Sequence, residues 1–159
     1  VSKEACQWCA DYAREQRLML HYHLSETEPE VKDCKKAHGL SPARYLDRLG
    51  VLGPRSVAAH CVWLDPAEAA LLAKRKVSIS NNPASNFKLG VGRLFPYAAV
   101  TKAGANLTIG TDGAASNNSL DMFSSMKLAS LQAKLMNAPT AMDARTTLSC
   151  LMSLSRSIP

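Results

Sequence analysis

The feature that most constrains the fold is an alternation of short apolar runs with helical stretches. Helical spacing marks residues 2–16, 28–37, 42–49, 66–75, 93–103 and 119–136. Between them lie four strand-like apolar runs, at residues 18–24, 57–63, 77–80 and 107–110. Short buried strands that alternate with helices are typical of βα units and of a parallel sheet. The sequence therefore predicts an α/β fold.

The chain is long and apolar enough for one domain. It has 159 residues, of which 47% are hydrophobic. No apolar run approaches the ~18 residues that a membrane span requires, so we expect no membrane partner. Because the chain begins with Val1 and carries no charged-then-apolar leader, we expect its N-terminus to be a cut rather than a signal. Its odd number of scattered cysteines suits free thiols in a reducing compartment, and we expect a cytoplasmic protein.

The formal net charge of +6 raises the question of a nucleic-acid partner. The basic residues are dispersed apart from the run at 74–76, and aromatic residues, on which bases stack, make up only 6% of the chain. We interpret that run as a solvated helix end and expect no nucleic-acid partner. Cys6 and Cys9 have the spacing of a zinc motif, but no second such pair follows, and the spacing also fits one face of a helix.

Polar side chains lie at the end of each predicted strand. Because the carboxyl ends of parallel strands meet at one rim, we expect these side chains to converge. They are His23 and Glu26 after the first strand, His60 in the second, Asn81 and Asn82 after the third, and Asp112 after the fourth.

Three of these residues have the chemistry of a zinc site, since His23 and His60 offer imidazole nitrogens and Asp112 a carboxylate. A lone strand histidine is often a buried core residue, however, and an Asp-Gly pair is often a turn. His21 adds a further ambiguity, because it faces the same side of a strand as His23. The two could form a His-x-His metal pair, one ligand beside a bystander, or two buried residues without chemistry.

Four segments resemble successive motifs of the metal-dependent amidohydrolase superfamily: HLSETEPEV, AAHCVWLDPAE, NNPASNFKLGVG and GTDGAASNNSLDMF. The resemblance covers about Ser2 to Thr147 and is nearest to the branch of 5-methylthioadenosine and S-adenosylhomocysteine deaminases. It implies an α/β fold that is a partial (β/α)8 TIM barrel, strands five to eight with their helices. Residues 1–159 would form one partial barrel domain, with a divergent tail at 149–159.

The resemblance also implies the role of each site residue. His23 and Asp112 match the zinc ligands of strands five and eight, and Asp112 also matches the group that accepts a proton from the attacking water. Glu26 matches the acid that meets the ring nitrogen of the substrate, and His60 the histidine that hydrogen-bonds the water. Ser116, in the loop after Asp112, is expected to bind substrate or to orient His60 or Asp112.

By the same resemblance, His21 points one layer deeper into the barrel as a packed interior residue. We expect the inward face to be apolar, with Leu20, Ala58 and Ile79 as candidates and no opposite wall. Asn81 stands where the family usually has histidine, which changes a local hydrogen bond but removes no metal ligand.

The function implied is zinc-dependent hydrolytic deamination of an adenine nucleoside, a cleavage of a C–N bond. Strands one to four of the barrel are missing, so we expect the isolated chain to be inactive and to associate with an N-terminal half-barrel or with itself. Two alternatives remain: a non-catalytic half-barrel remnant, or a ring hydrolase of the guanine deaminase or triazine chlorohydrolase type.

Overall fold

A computed structural model describes residues 1–156 of the chain, with side chains through residue 152. Its centre is a parallel sheet in which each strand pairs with the next along the chain, in the order β1-β2-β3-β4. The elements in chain order are α1 (Lys3–Glu15), β1 (Leu20–Leu24), α2 (Glu28–His38), α3 (Pro42–Arg48), β2 (Ser56–His60), α4 (Pro66–Lys74), β3 (Ser78–Asn81), α5 (Pro83–Lys88), α6 (Tyr97–Lys102), β4 (Asn106–Ile109), α7 (Ala114–Asn117), α8 (Met122–Met136) and α9 (Ala144–Arg156). This is the arrangement of four consecutive strands of a (β/α)8 barrel, and the α/β prediction is confirmed.

The predicted helices that begin at strong capping signals are confirmed most closely. Thr27 caps α2, and its hydroxyl accepts a hydrogen bond from the backbone N–H of Glu30. Asp65 begins α4 in a reciprocal capping box with Glu68, and Pro66 occupies the first turn. These local signals fix where each helix starts, and the sequence places both starts correctly.

Other elements differ from the sequence-based expectation. The helix predicted at 93–103 begins only at Tyr97, and the stretch predicted from 119 begins as α8 at Met122. Helices α5, α7 and α9 were not predicted, and α9 packs against β4. The expected divergent tail overlaps α9, its last residues 157–159 lie outside the described residues, and its boundary at 149 stays a prediction.

The strand register assigns side chains to two faces of the sheet. His21 pairs with Val57 and His23 with Ala59, and Ala59 pairs with Ser80, so these residues share one face. That face borders a cavity of about 580 Å³, and we call it the cavity face.

The opposite, helix-facing side carries the apolar core. Ala58 pairs with Tyr22 and Ile79, and both Ala58 and Ile79 are fully buried beside Leu72 of α4 and Val100 of α6. Leu20 packs in a smaller cluster on the same side with α1 and α3. The expectation that Leu20, Ala58 and Ile79 line the inward face is therefore wrong. Side chains alternate along a strand, so residues next to His21 and His23 must face the helices.

Two further expectations bear on the chain as a whole. In the described part of the chain, no helix combines the length and the hydropathy needed to cross a bilayer. Cys6, Cys9, Cys34 and Cys61 form no disulfide among the described residues.

Candidate metal and catalytic site

Unusual backbone geometry is concentrated at the carboxyl ends of the strands. Ser25, His60, Cys61 and Asp112 all have positive φ, at 50°, 68°, 53° and 61°. Each left-handed non-glycine residue costs about 1–2 kcal/mol, so such residues persist where the surrounding structure enforces them. Four of the eight that the described chain contains lie on this one rim.

The strain at His60 has a geometric effect. His60 pairs in register with Leu24, whose side chain lies in the helix-facing core. Regular alternation would therefore turn the His60 ring toward the helices. Instead the ring stacks on that of His23, with centroids 5.2 Å apart. The left-handed backbone brings His60 to the rim.

His23, His60 and Asp112 form one cluster. Each offers a ligand atom, and these atoms lie within 4.8 Å of one another; in the described part of the chain no other group of three such residues does so. His60 is 1% exposed, and its Nε2 lies 3.9 Å from Oδ2 of Asp112. The structure thus brings these three residues together, as the sequence predicts.

The cluster fits a divalent cation such as zinc. Two imidazoles and a carboxylate are common zinc ligands. The buried Nε2 of His60 also has no hydrogen-bond partner among the described residues, although buried polar atoms are normally satisfied. A buried ring nitrogen without a partner, close to two further potential ligands, suits a site for a cation or its bound water.

Asp112 is held as a carboxylate by hydrogen bonds. The Ser85 hydroxyl donates to Oδ2 at 2.6 Å, and the N–H of Gly113 donates to Oδ1 at 2.8 Å. Partial burial acts to raise the pKa of Asp112, but these hydrogen bonds, with His60 and the Ser116 hydroxyl, outweigh it and lower the pKa below its ordinary value. Asp112 is therefore ionised at neutral pH.

Glu26 lies beside this cluster on the turn after β1. Its Oε1 is 3.7 Å from Nδ1 of His60. The turn is held by Glu30, whose two carboxylate oxygens accept hydrogen bonds from the N–H groups of Ser25 and Glu26, each at 2.7 Å. Glu26 itself is partly buried with its carboxylate toward the rim, a position from which it can exchange a proton with a bound molecule.

Two further residues support the site and were not foreseen. Ser85 binds Asp112, as described, and Oδ1 of Asn86 lies within hydrogen-bond distance of His60, 2.8 Å from Nδ1. Both belong to α5, which follows the third rim position. The polar run from Asn81 to Asn86 was the available signal, but nothing in it specifies which side chains reach the rim.

The remaining predicted residues lie as follows. Ser116, on α7, lies close enough to Asp112 for its hydroxyl to help lower the pKa of that carboxyl. Asn81 is buried and accepts a hydrogen bond from Asn86 Nδ2 at 3.4 Å.

His21 faces the cavity as expected, but it is exposed rather than packed, because none of the described strands covers that face. The part of the prediction that made it a packed interior residue is wrong. Desolvation lowers the pKa of His21, and so do the neighbouring His23 and His60.

Comparison with known proteins places this geometry in a family. The model of the Amidohydrolase family matches residues 1–153. A 5'-deoxyadenosine deaminase from Methanoregula boonei is 54% identical over 145 residues, which cover 91% of this chain and 33% of that protein. A 5-methylthioadenosine/S-adenosylhomocysteine deaminase from Archaeoglobus fulgidus is 48% identical over 145 residues, covering 91% of this chain and 34% of that protein.

A solved structure gives the same result. The zinc-bound crystal structure of an adenosine deaminase from Xanthomonas campestris superposes with a TM-score of 0.93 and 40% identity, over 99% of this chain and 36% of that one. The chain thus spans about a third of the length of the curated relatives it matches. With a family match over nearly its whole length and a site built at the carboxyl rim of parallel strands, the chain belongs to the amidohydrolase family.

Proposed function

We propose that this chain carries the proton-transfer side of a zinc-dependent hydrolytic deaminase that acts on adenine nucleosides of the 5-methylthioadenosine, S-adenosylhomocysteine or 5'-deoxyadenosine type. The observation that carries the proposal is the convergence of His23, His60 and Asp112 within 4.8 Å, with Glu26 beside them. The names of the relatives at 48–54% identity support the substrate class.

The reaction replaces an exocyclic amino group with oxygen. Water adds to the ring carbon, the C–N bond breaks, and ammonia leaves, so the products are the 6-oxo nucleoside and ammonia. One proton must leave the attacking water, and protons must reach the ring nitrogen and the departing amine. The site therefore needs an acceptor on one side of the ring carbon and a donor on the other.

His23 and Asp112 would hold the zinc ion. When bound, zinc supplies the positive charge that brings the pKa of water near ~7. The ionised Oδ2 of Asp112 would accept the proton from the attacking water, and Nε2 of His60, 3.9 Å away, would accept a hydrogen bond from it. Glu26, near Nδ1 on the other side of the His60 ring, would deliver a proton to the ring nitrogen of the substrate.

The number of ligands limits what the chain does alone. Protein zinc sites use three or more protein ligands, and His23 and Asp112 supply two. We therefore expect the 159-residue chain to bind zinc weakly, with His60 as a substitute ligand, and to lose the metal on dialysis against a mild chelator.

A chimera tests the activity. The segment of the Methanoregula boonei relative that aligns with this chain is replaced by the chain's own residues. The product is assayed for zinc content and for ammonia release from 5'-deoxyadenosine, 5-methylthioadenosine, S-adenosylhomocysteine and guanine. We expect stoichiometric zinc and deamination of the adenine nucleosides. A folded, zinc-loaded chimera without activity would favour the non-catalytic alternative, and activity on guanine alone would favour the other ring hydrolase.

Glu26→Gln in the chimera tests the proposed donor. Because general acid–base groups contribute about 10²–10⁴-fold, kcat should fall by that factor while the zinc content stays unchanged. Glu28→Gln is the matched control, since Glu28 lies two residues away in an exposed pair with Lys32, and it should leave both properties intact. Loss of zinc from Glu26→Gln would make Glu26 a ligand and the assignment wrong.

A further inference from the structure

We propose that Asn86 is a positioning residue that fixes His60 as the tautomer protonated on Nδ1, so that Nε2 faces the site as a bare acceptor. Neutral imidazole carries one proton, and the hydrogen bond made by one ring nitrogen decides the state of the other. The tautomer follows from the contacts of Asn86 alone; its importance for deamination rests on the proposed function.

The contact on the Nδ1 side is short and buried. Asn86 Oδ1 lies 2.8 Å from Nδ1 of His60, and the two residues are 3% and 1% exposed. An amide oxygen only accepts hydrogen bonds, so Nδ1 must carry the proton. The Glu26 carboxylate, at 3.7 Å, is too far to make that bond itself.

The orientation of the Asn86 amide has its own support. Its Nδ2 donates to Oδ1 of Asn81 at 3.4 Å, which leaves Oδ1 directed at His60. Reversing the amide would place an N–H against His60 and oxygen against oxygen at Asn81. The buried Asn81 thus belongs to the same chain of hydrogen bonds.

A proton on Nδ1 determines what Nε2 can do on the other side of the ring. Nε2 is buried, lacks a hydrogen-bond partner among the described residues, and lies 3.9 Å from Asp112. With the proton on Nδ1, the lone pair of Nε2 can accept from a water or bind a cation. With the proton on Nε2, the ring would present a donor to the site and could do neither.

Helix α5 supports both groups at once. Ser85 donates to Asp112, and its neighbour Asn86 accepts from His60. Two consecutive residues of one short helix therefore orient the carboxylate and the imidazole that face each other across the site.

Nuclear magnetic resonance tests the tautomer without metal or activity. The chain is labelled with ¹⁵N in its histidines, the His60 signals are assigned by their loss in His60→Gln, and long-range ¹H–¹⁵N correlations are recorded at mildly alkaline pH. We expect His60 to carry its proton on Nδ1. A proton on Nε2 in the unmodified chain would overturn the proposal.

Two variants separate positioning from structural support. Asn86→Leu removes the acceptor at similar volume, and the proton should move to Nε2. Asn86→Asp keeps an oxygen at the same place, and Nδ1 should stay protonated. Circular dichroism verifies that each variant is folded. Retention of the Nδ1 proton in a folded Asn86→Leu variant would contradict the proposal.

The same variants in the chimera link the tautomer to the reaction. Supporting residues of this kind are worth about 10–100-fold in activity or metal affinity, so Asn86→Leu should lower kcat by that factor, with partial rescue in Asn86→Asp. An inactive parent chimera with the expected tautomer would refute the proposed function and leave the role of Asn86 intact. An active parent with unchanged kcat in folded Asn86→Leu would refute that role.

Discussion

Gly110, at the rim, is the most tightly enclosed of the glycines. It follows β4, and its N–H donates to the carbonyl of Asn81 at 2.9 Å. A Cβ at this position would lie 2.5 Å from Oδ1 of Asn82 and 2.8 Å from Oγ of Ser80. Those two atoms are hydrogen-bonded to each other at 3.0 Å and belong to buried side chains. The backbone of β4 can approach them only because residue 110 has no side chain.

We predict that Gly110→Ala destabilises the chain by about 1–3 kcal/mol, the usual cost of overpacking a buried site. Gly53→Ala is the control, because a Cβ there meets nothing within 4 Å, and it should change stability by less than about 0.5 kcal/mol. Chemical denaturation followed by circular dichroism measures both. Equal stability of the two variants would show that the side chains of Asn82 and Ser80 can move aside without loss of stability, and would contradict the prediction.

For single residues, the sequence predicts the polar groups at the strand ends but not the residues that hydrogen-bond to them. His23, Glu26, His60 and Asp112 could be found because each lies within a few residues of a strand end, where functional groups of parallel sheets collect. Ser85 and Asn86 reach Asp112 and His60 across 27 and 26 positions of sequence. Such contacts depend on how α5 packs, which no local pattern specifies.

Among the elements, α2 combines capping with control of the site. Its first turn carries Glu30, whose carboxylate binds two consecutive N–H groups of the turn that presents Glu26. The helix thus holds in place the strained Ser25, with φ of 50°.

We predict that Glu30→Gln destabilises the chain by about 1.5–3 kcal/mol, the range for hydrogen bonds to charged groups. A glutamine amide offers one acceptor oxygen, so one of the two N–H groups would lose its partner. Glu28→Gln removes a charge from the same helical turn but breaks only an exposed ion pair with Lys32, and it should cost less than about 0.5 kcal/mol. Thermal or urea unfolding measures the stability of both variants. Similar losses of stability in the two would refute the role of Glu30 in holding the turn.

The elements that were predicted and those that were missed differ in their local signals. Helices α2 and α4 carry a capping residue, a proline in the first turn and acidic residues that suit the helix dipole. Helix α5 has only six residues, and the side chain of its N-cap residue Asn82 accepts no hydrogen bond from the N–H groups of the first helical turn. The run Asn81-Asn82-Pro83 reads as a turn, and tertiary packing makes the residues after it helical.

For the whole molecule, the open edge of the sheet matters most. Strand β1 pairs with β2 alone among the described strands, whereas β4 has α9 packed against it. Beside β1 lies a cavity of about 610 Å³, lined largely by apolar side chains of α1, α3 and β1. An uncovered strand edge next to an apolar cavity favours association with another chain.

We predict that the chain self-associates through β1 at micromolar concentration. Leu20 donates its N–H to Arg55 of the neighbouring segment, so in the alternating ladder the N–H of His21 points to the open edge. His21→Pro should weaken association by about fivefold or more, since one hydrogen bond of about 1 kcal/mol is lost and the ring obstructs pairing. His21→Ala removes the same imidazole and should associate like the parent.

Sedimentation velocity over a range of concentrations distinguishes these cases. A parent chain that remains a compact monomer, without exposed apolar surface by dye binding, would contradict the prediction. Equal weakening by His21→Pro and His21→Ala would assign the effect to the lost side chain rather than to the strand edge.

The separation of the two faces of the sheet also determines how a lineage of such proteins can change. Selection acts on substitutions among the apolar residues under the helices through their effect on folding. It acts on substitutions at the rim through their effect on which molecule is bound and converted. Because the two sets lie on opposite sides of the same strands, mutations in one set can be selected with little regard to the other. Positions where the backbone contacts rim side chains, such as Gly110, are the exception. A substitution there affects folding and the site together, so the fewest substitutions are tolerated.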